Sequence, residues 1–549
     1  RTVQDYEFRS AETSNRGMGT SYAKNAVDKY TMFTLENMLF YDKTFNDKHT
    51  LGVTLLQSIQ EDKKENVNVA MENLPADNLK YYDLGSGLVT NTIGSSMIKW
   101  NMASFMGRIN YNYLGRYLLT VSARYDGSSR LADGHKWVLF PSAALAWRIN
   151  EESFMSSTSG WLDNLKLRLG FGKTGNSAVD PYQTKGTLSL IRYPFDNGGT
   201  PTIGYAPNAM ANSLLTWETT DQWNLGIDFG VLRGRINGTI DLYMQNTHDL
   251  LLKRQLPVVS GFPDVLSNVG KTRNKGIEVS INSMNINSKD FQWTTDLMLS
   301  SNKEEIVELY NGKNDDIGSK WFIGQPVNVH YDYRKVGIWQ NTESDLAEMA
   351  KFAANGTEFA PGDIKIQDVN GDYKITDADK QILGNPRPKL IASMVNTFNY
   401  KGFDLSVFLY ASFGAMLYND IYALEHCGRN GGVEIDYWTP NNPTNAYPRP
   451  SIDEERPIYI TSTYYEKADF LRVKTMTLGY TLPKTLTNKF LVEKLRVYFT
   501  AQNPFIFTNY TGIDPEAAKV NSAGNPETNG SGFGTPSVSS WIFGINLTL

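Results

Sequence analysis

Soft metal ligands are scarce in this sequence: one cysteine and five histidines stand among 549 residues. One cysteine excludes a disulfide framework and any Cys-rich zinc site. His49, His135, His248, His330 and His426 include no pair three or four apart, so no helix face carries a zinc pair. There is no long apolar run of the length a membrane helix needs. There is no basic block either. Basic residues number 53 against 58 acidic, for a net charge of −5, which argues against a nucleic-acid partner. Length alone would divide the chain into domains of about 150 residues each, but no linker or composition shift marks a boundary. The sequence opens on Arg1, so a missing leader peptide says nothing about compartment. What abounds is 11 Trp, 30 Tyr, 26 Phe and 45 Gly, a composition of strands and turns.

Alternation at period two dominates the pattern. In Ile236 to Asn246, Ile236, Ile240, Leu242 and Met244 face one way, and Asn237, Thr239, Asp241, Tyr243 and Gln245 the other. The stretches Tyr117 to Asp126, Leu495 to Gln502 and Trp541 to Leu549 alternate in the same way. So do Ala103 to Tyr113, Leu165 to Phe171 and Ile277 to Asn282. Such runs predict a sheet with one apolar and one polar side.

Loop lengths choose among sheet architectures. Tight turns are read at Asn112 to Gly115, Val231 to Gly234 and Asn399 to Gly402. Long polar connections are read at Glu61 to Ser96, Thr174 to Leu215, Asn302 to Pro386, Asn419 to Lys467 and Asn509 to Ser537. Short turns at one end and long loops at the other predict an all-β fold, a transmembrane antiparallel β-barrel. A closed barrel leaves no unpaired strand edge in lipid. Tyr111, Tyr113 and Tyr117 flank one tight turn and Phe398, Tyr400 and Phe403 another, where interfacial aromatics belong. About 15 or 16 strands are expected in this chain. The last residue, Leu549, is apolar, though not the aromatic that usually closes such a strand.

The stretches Arg108 to Leu131, Phe140 to Met155, Leu165 to Asn176, Asn274 to Ile281, Gly362 to Lys389, Phe470 to Pro483 and Leu495 to Glu516 occur in the order seen in one family. Together they resemble the SusC/RagA family of TonB-dependent outer-membrane transporters. The resemblance implies a barrel of 22 strands in all, filled by an N-terminal plug and driven through a TonB box. Neither plug, TonB box nor first strands are recognisable, so residues 1–549 are expected to be the C-terminal part of the barrel, unable to stand alone. It further implies an outer-membrane location in a Gram-negative bacterium, a SusD-like lipoprotein as partner, the TonB complex, an N-terminal plug and barrel fragment, surrounding lipid, and a glycan or oligopeptide as ligand.

One motif carries metal chemistry. Asp368, Asn370, Asp372, Lys374, Thr376 and Asp379 occupy positions one, three, five, seven, nine and twelve of an EF-hand-type loop, with Lys374 offering its backbone carbonyl. Hard oxygen donors on a tight turn suit calcium or magnesium in a structural role. Tyr373 takes the position where glycine is usual, so a tyrosine must adopt a strained φ there. Asp379 is shorter than the usual closing Glu. The plain alternative is a solvated acidic loop. The motif lies within a long extracellular loop expected at residues 303–386.

No catalytic constellation emerges. His426 and Cys427 are adjacent, and on a strand they would face opposite ways. Ser128 and Ser129 read as a hydrogen-bonded turn. Gly170 to Asn176 resembles a phosphate loop but lacks its spacing. Candidate ligand contacts are loop aromatics: Trp321, Tyr331, Tyr333, Trp339, Trp438 and Tyr447. For each, loop packing is an equal alternative. The expected function is energised import of a large nutrient. The rivals are a passive diffusion porin and a secreted β-rich glycan-binding adhesin.

Overall fold

A computed structural model describes residues 1–12, 20–194, 202–419, 434–451, 456–487, 489, 492–516 and 537–548. Its main feature is a 16-stranded sheet whose order follows the chain. The first seven strands are β1 (Thr2–Arg9), β2 (Tyr22–Phe45), β3 (His49–Glu72), β4 (Val89–Tyr113), β5 (Tyr117–Ser128), β6 (Trp137–Arg148) and β7 (Leu162–Asn176). The next four are β8 (Glu218–Val231), β9 (Ile236–His248), β10 (Lys271–Asn287) and β11 (Phe291–Glu308). The last five are β12 (Leu390–Tyr400), β13 (Phe403–Phe413), β14 (Phe470–Thr481), β15 (Lys494–Thr508) and β16 (Ser540–Thr548). Among the described residues no helix is long and apolar enough to cross a membrane, which says nothing of crossing by strands. The chain forms two compact units. One comprises Arg1–Trp147, Leu169–Trp223 and Asn246–Lys271; the other comprises Arg148–Arg168, Asn224–Gln245 and Thr272–Leu549.

In the first unit, β2 to β6 pair antiparallel, with one register shift between Ala70 and Met71 of β3. The apolar face is built from Leu39, Leu55, Ile109, Val121 and Leu145, all at least 40% exposed. Exposed apolar side chains in ordered rows suit a hydrocarbon neighbour better than water. Two aromatic rows bound this face. Near the tight turns, Tyr117 lies 6.3 Å from Tyr113 and 6.5 Å from Trp147. Towards the other end, Trp137 lies 4.9 Å from Tyr125 and 6.3 Å from Phe105. Tyr117 and Tyr125 are eight residues apart on β5, or roughly 27 Å along a strand, and less once tilted. The opposite face is wetted and cross-linked: Arg124 donates to Ser104 at 2.9 Å and to Asp126 at 2.8 Å, and Ser122 meets Ser142 at 2.7 Å.

The expected tight turns are present. Leu114 and Gly115 both have positive φ, as do Lys401 and Gly402, and Leu232 to Gly234. Two left-handed residues twist a hairpin turn the way the flanking strands already twist. A further turn at Asn46 and Asp47, both at positive φ, joins β2 to β3.

The expected loop from Glu61 to Ser96 is mostly strand. β2, β3 and β4 run 24, 24 and 25 residues, where about 10 suffice to cross a bilayer. The far half of β3 carries charge on both faces, tied to β4 by Lys99–Glu61 at 2.9 Å and within itself by Lys63–Glu65 at 2.7 Å. A ladder wet on both sides has no apolar alternation, so its sequence reads as loop.

In the second unit, the apolar face near the turns carries Phe403 against Tyr480 at 4.5 Å and Trp293 against Phe398 at 5.6 Å. The long connection after β11 begins beyond Glu308, not at residue 303, and folds on itself. His330–Tyr333 pairs with Lys380–Gly384, and Lys335–Ile338 with Ile364–Ile366. Between them runs α1 (Glu343–Ala354), capped by Thr342, whose hydroxyl accepts from the Asp345 amide at 3.2 Å.

Candidate functional site

Two of the small cores among the second unit's loops take in candidate aromatics. Ile338, Ile364, Ile366, Trp438, Ile460 and Tyr464 form one; Trp339, Met349 and Phe352 form the other. Trp339 is fully buried, edge-on to Phe352 at 5.9 Å, and Trp438 is 6% exposed with its indole N–H donating to Gln340 at 2.8 Å. The packing alternative describes both residues: neither ring offers a face to a ligand. Tyr447 packs on the first core, with its hydroxyl 3.2 Å from that of Tyr464. Tyr333 is half-buried. Burial, with Asp377 nearby, pushes its phenol up to about 12. Tyr331 lies 4.8 Å from Phe322. Trp321 is half-buried on an isolated bridge to Asp316. The six aromatics do not converge on one cavity among the described residues.

The loop from Asp368 to Asp379 bends at two left-handed residues. Gly371 and Tyr373 adopt φ of 75° and 57°. The Asp368 carboxylate accepts from the Gly371 amide at 2.7 Å and the Tyr373 amide at 2.8 Å. Asp372 accepts from the Lys374 amide at 2.8 Å. Asp379 is fully buried and accepts from Val369 at 2.9 Å and Thr376 at 2.8 Å. The Tyr373 ring explains its strained place: it packs 5.5 Å from Phe352, with the Lys351 ammonium 5.2 Å above it. The donors suit a hard cation in kind. Their carboxylates are turned onto backbone amides, however, and among the described residues no three His, Cys, Asp or Glu side chains are grouped to hold a metal ion.

The remaining sequence candidates are structural where described. Ser129 accepts from the Asn101 amide at 2.8 Å and Ser128 from the Arg130 amide at 3.3 Å, which makes the expected turn. Gly170 to Asn176 lies in β7. His49 bonds Tyr111 at 2.7 Å and His330 the Met416 carbonyl at 2.8 Å. His426, Cys427 and Leu549 lie outside the described residues.

Sequence reasoning missed a cavity of about 510 Å³ in the first unit, beside Lys99, Trp100 and Tyr182. Its walls come from separate stretches with no shared spacing, so no motif announces it.

Residues 1–503 match the family model described as TonB dependent receptor-like, beta-barrel. Among curated relatives, the TonB-dependent receptor P3 of Formosa agariphila is 32% identical over 93% of this chain and 52% of its own length. The TonB-dependent receptor SusC of Bacteroides thetaiotaomicron is 35% identical over 76% of this chain and 41% of its own. The chain thus spans about half the length of the curated relatives it matches. Among solved structures, the RagAB peptide transporter superposes with a TM-score of 0.82 at 22% identity, over all of this chain and 58% of that one.

Proposed function

The chain belongs to the TonB-dependent receptor-like β-barrels of SusC/RagA type, outer-membrane proteins of Gram-negative bacteria, and from that premise we propose that it forms the wall of an energised importer for a large nutrient. The nutrient is a glycan or an oligopeptide, captured beneath a SusD-like surface lipoprotein and released inward when the TonB complex pulls on a plug. The single observation that carries this reading is the match to the family model across residues 1–503. Supporting it are loops folded into cores of their own, which suit a capture surface more than a simple pore mouth. No catalytic step is assigned. The test is uptake of labelled glycan and peptide by cells with and without TonB. Uptake that needs TonB, with a lipoprotein copurifying, is expected. Steady conductance of the receptor in planar bilayers would instead identify a passive porin.

We also propose that the loop from Asp368 to Asp379 takes calcium, or magnesium, in a structural role. Asp368, Asp372 and Asp379 would supply carboxylates, Asn370 and Thr376 side-chain oxygens, and Lys374 its carbonyl. An all-oxygen donor set selects such hard ions. Calorimetric titration with calcium chloride should show binding that Asp372→Ala removes. No heat at millimolar calcium would end this assignment.

A further inference from the structure

We propose that Lys275 and Lys303, on the outer wall of the second unit, hold the phosphate of an outer-leaflet glycolipid. Such a site needs only the lipid-facing wall and the outer membrane, and is independent of TonB and of any nutrient.

Contacts fix the face. The Trp293 indole donates to Asn396 at 3.0 Å, Thr295 donates to Asn396 at 2.7 Å, and Asn285 donates to Thr295 at 2.7 Å. These four share the side on which Trp293 meets Phe398, the apolar one. Alternation carries that side along β10 through Ile281, Val279 and Ile277 to Lys275 and Arg273. It carries the same side along β11 through Leu297 and Leu299 to Ser301, Lys303 and Glu305. Arg273 meets Glu305 across the pair at 3.6 Å, and on the other side Asn302 donates to Asn274 at 3.2 Å. Lys275 thus comes opposite Lys303, and two ammonium groups so placed repel. Lys303 lies ten residues beyond Trp293 on β11. That is roughly 34 Å along a strand and about 26 Å of height at the usual tilt, the outer edge of the apolar band.

The charge here is positive. β10 opens with Lys271, Arg273 and Lys275, and β11 closes with Lys303, Glu304, Glu305 and Glu308. Glu304 is buried on the other side and taken by Arg387 at 2.8 Å. Four cations then stand against two carboxylates. Glu305 is shared between Arg273 and Lys303, the latter at 3.3 Å with its side chain 73% exposed. Lys275 is exposed and forms no ion pair among the described residues. The flanking strands do not cancel the surplus. β9 brings Leu242 and Met244 to its apolar face, and β12 brings Leu390 and Ala392. Lys389 and Asp469, both against Gly414, offset each other. A surplus of two suits a phosphate monoester, which carries about −1.5 to −2, better than the single charge of a phosphodiester. Lysine also suits this height, with its stem among acyl chains and its ammonium at the headgroups.

The test places purified receptor in phosphatidylethanolamine nanodiscs with a trace of one added lipid. That lipid is a lipid A monophosphate, the same glycolipid after phosphatase treatment, or phosphatidylglycerol. Native mass spectrometry reads the lipid retained. The phosphorylated glycolipid should be retained about tenfold more than either of the others. Lys275→Gln combined with Lys303→Gln should remove that preference. In plain detergent the same double variant should unfold no earlier than the native protein, because the substitution relieves a repulsion. Equal retention of the dephosphorylated glycolipid or of phosphatidylglycerol overturns the proposal. So does a preference that survives the double variant. An earlier unfolding midpoint in plain detergent overturns it too, since the lysines would then serve the fold and not a lipid.

Discussion

Arg168 reaches Asp241 across the backbone of Gly226. From β7 it donates to Asp241 on β9 at 3.0 Å and to Asp228 on β8 at 2.9 Å. A Cβ on Gly226 would lie 2.5 Å from the guanidinium carbon. The device recurs where Arg496 on β15 bonds Asp404 on β13 at 2.9 Å, over Gly479 on β14, whose Cβ would lie 2.5 Å from the Arg496 Nη2. A missing side chain on the middle strand lets ions on the outer two meet.

Gly226→Ala and Gly479→Ala should therefore displace the guanidinium and destabilise by about 1–3 kcal/mol, the usual penalty of overpacking. Arg168→Met should recover part of the loss in the Gly226→Ala background, because a flexible thioether can yield. Urea unfolding in detergent reads both. Unchanged midpoints for the alanine variants would remove the steric role assigned to these glycines.

The sheet was legible because most strands have one wetted and one apolar face, and because glycine marks their turns. Leu145 and Ala144 illustrate the signal: adjacent residues on opposite faces. The far halves of β2 to β4 were illegible because Glu61 to Glu65 and their partners are wet on both faces. The strain at Tyr373 was legible from position alone, since the loop bends there whatever residue is present. Trp339 and Trp438 were ambiguous because a loop tryptophan looks the same whether it packs or binds; only the tertiary cores decide. The cavity beside Tyr182 gave no signal, because Lys99 and Trp100 come from a stretch distant in sequence.

Tyr373 reverses the usual ranking of alanine above glycine. Both Tyr373→Ala and Tyr373→Gly lose the ring's contact with Phe352, but only glycine also loses the strain of a φ at 57°. The glycine variant should be the more stable of the two by about 1 kcal/mol. Resistance of the loop after β11 to limited proteolysis reads the difference. An alanine variant at least as resistant would show that the left-handed backbone carries no strain there.

Lys335 predicts a pH dependence. Its ammonium donates to the Ala446 carbonyl at 2.7 Å, and burial pushes it down to about 8 from 10.5. Between pH 8 and 10.5 the opened loop holds the extra proton, so the folded loop gains stability as pH rises through that window. Below pH 8 the full penalty is present, about 3 kcal/mol as an upper bound. Comparison of loop proteolysis at pH 7.5 and 9.5 should show about tenfold greater protection at the higher pH in the native protein. Lys335→Met should abolish the difference. An equal pH response in that variant would place the titrating group elsewhere.

The assignment of faces can be tested on β5 and β6. Val121 lies midway between Tyr117 and Tyr125 on the apolar face of β5, 43% exposed. Ala144 pairs with Thr120 on the other face of the same sheet. Arginine at a lipid-facing midplane position costs about 2–4 kcal/mol, whereas a wetted face accepts it with little change. Val121→Arg should lower the midpoint for unfolding from phospholipid bilayers, and Ala144→Arg should leave it within about 1 kcal/mol of the native value. The contrast depends on surroundings rather than size, since both variants add the same side chain to neighbouring strands. Equal penalties at the two sites would mean that both faces are dry, as in two packed sheets, and would remove hydrocarbon as the neighbour of Val121.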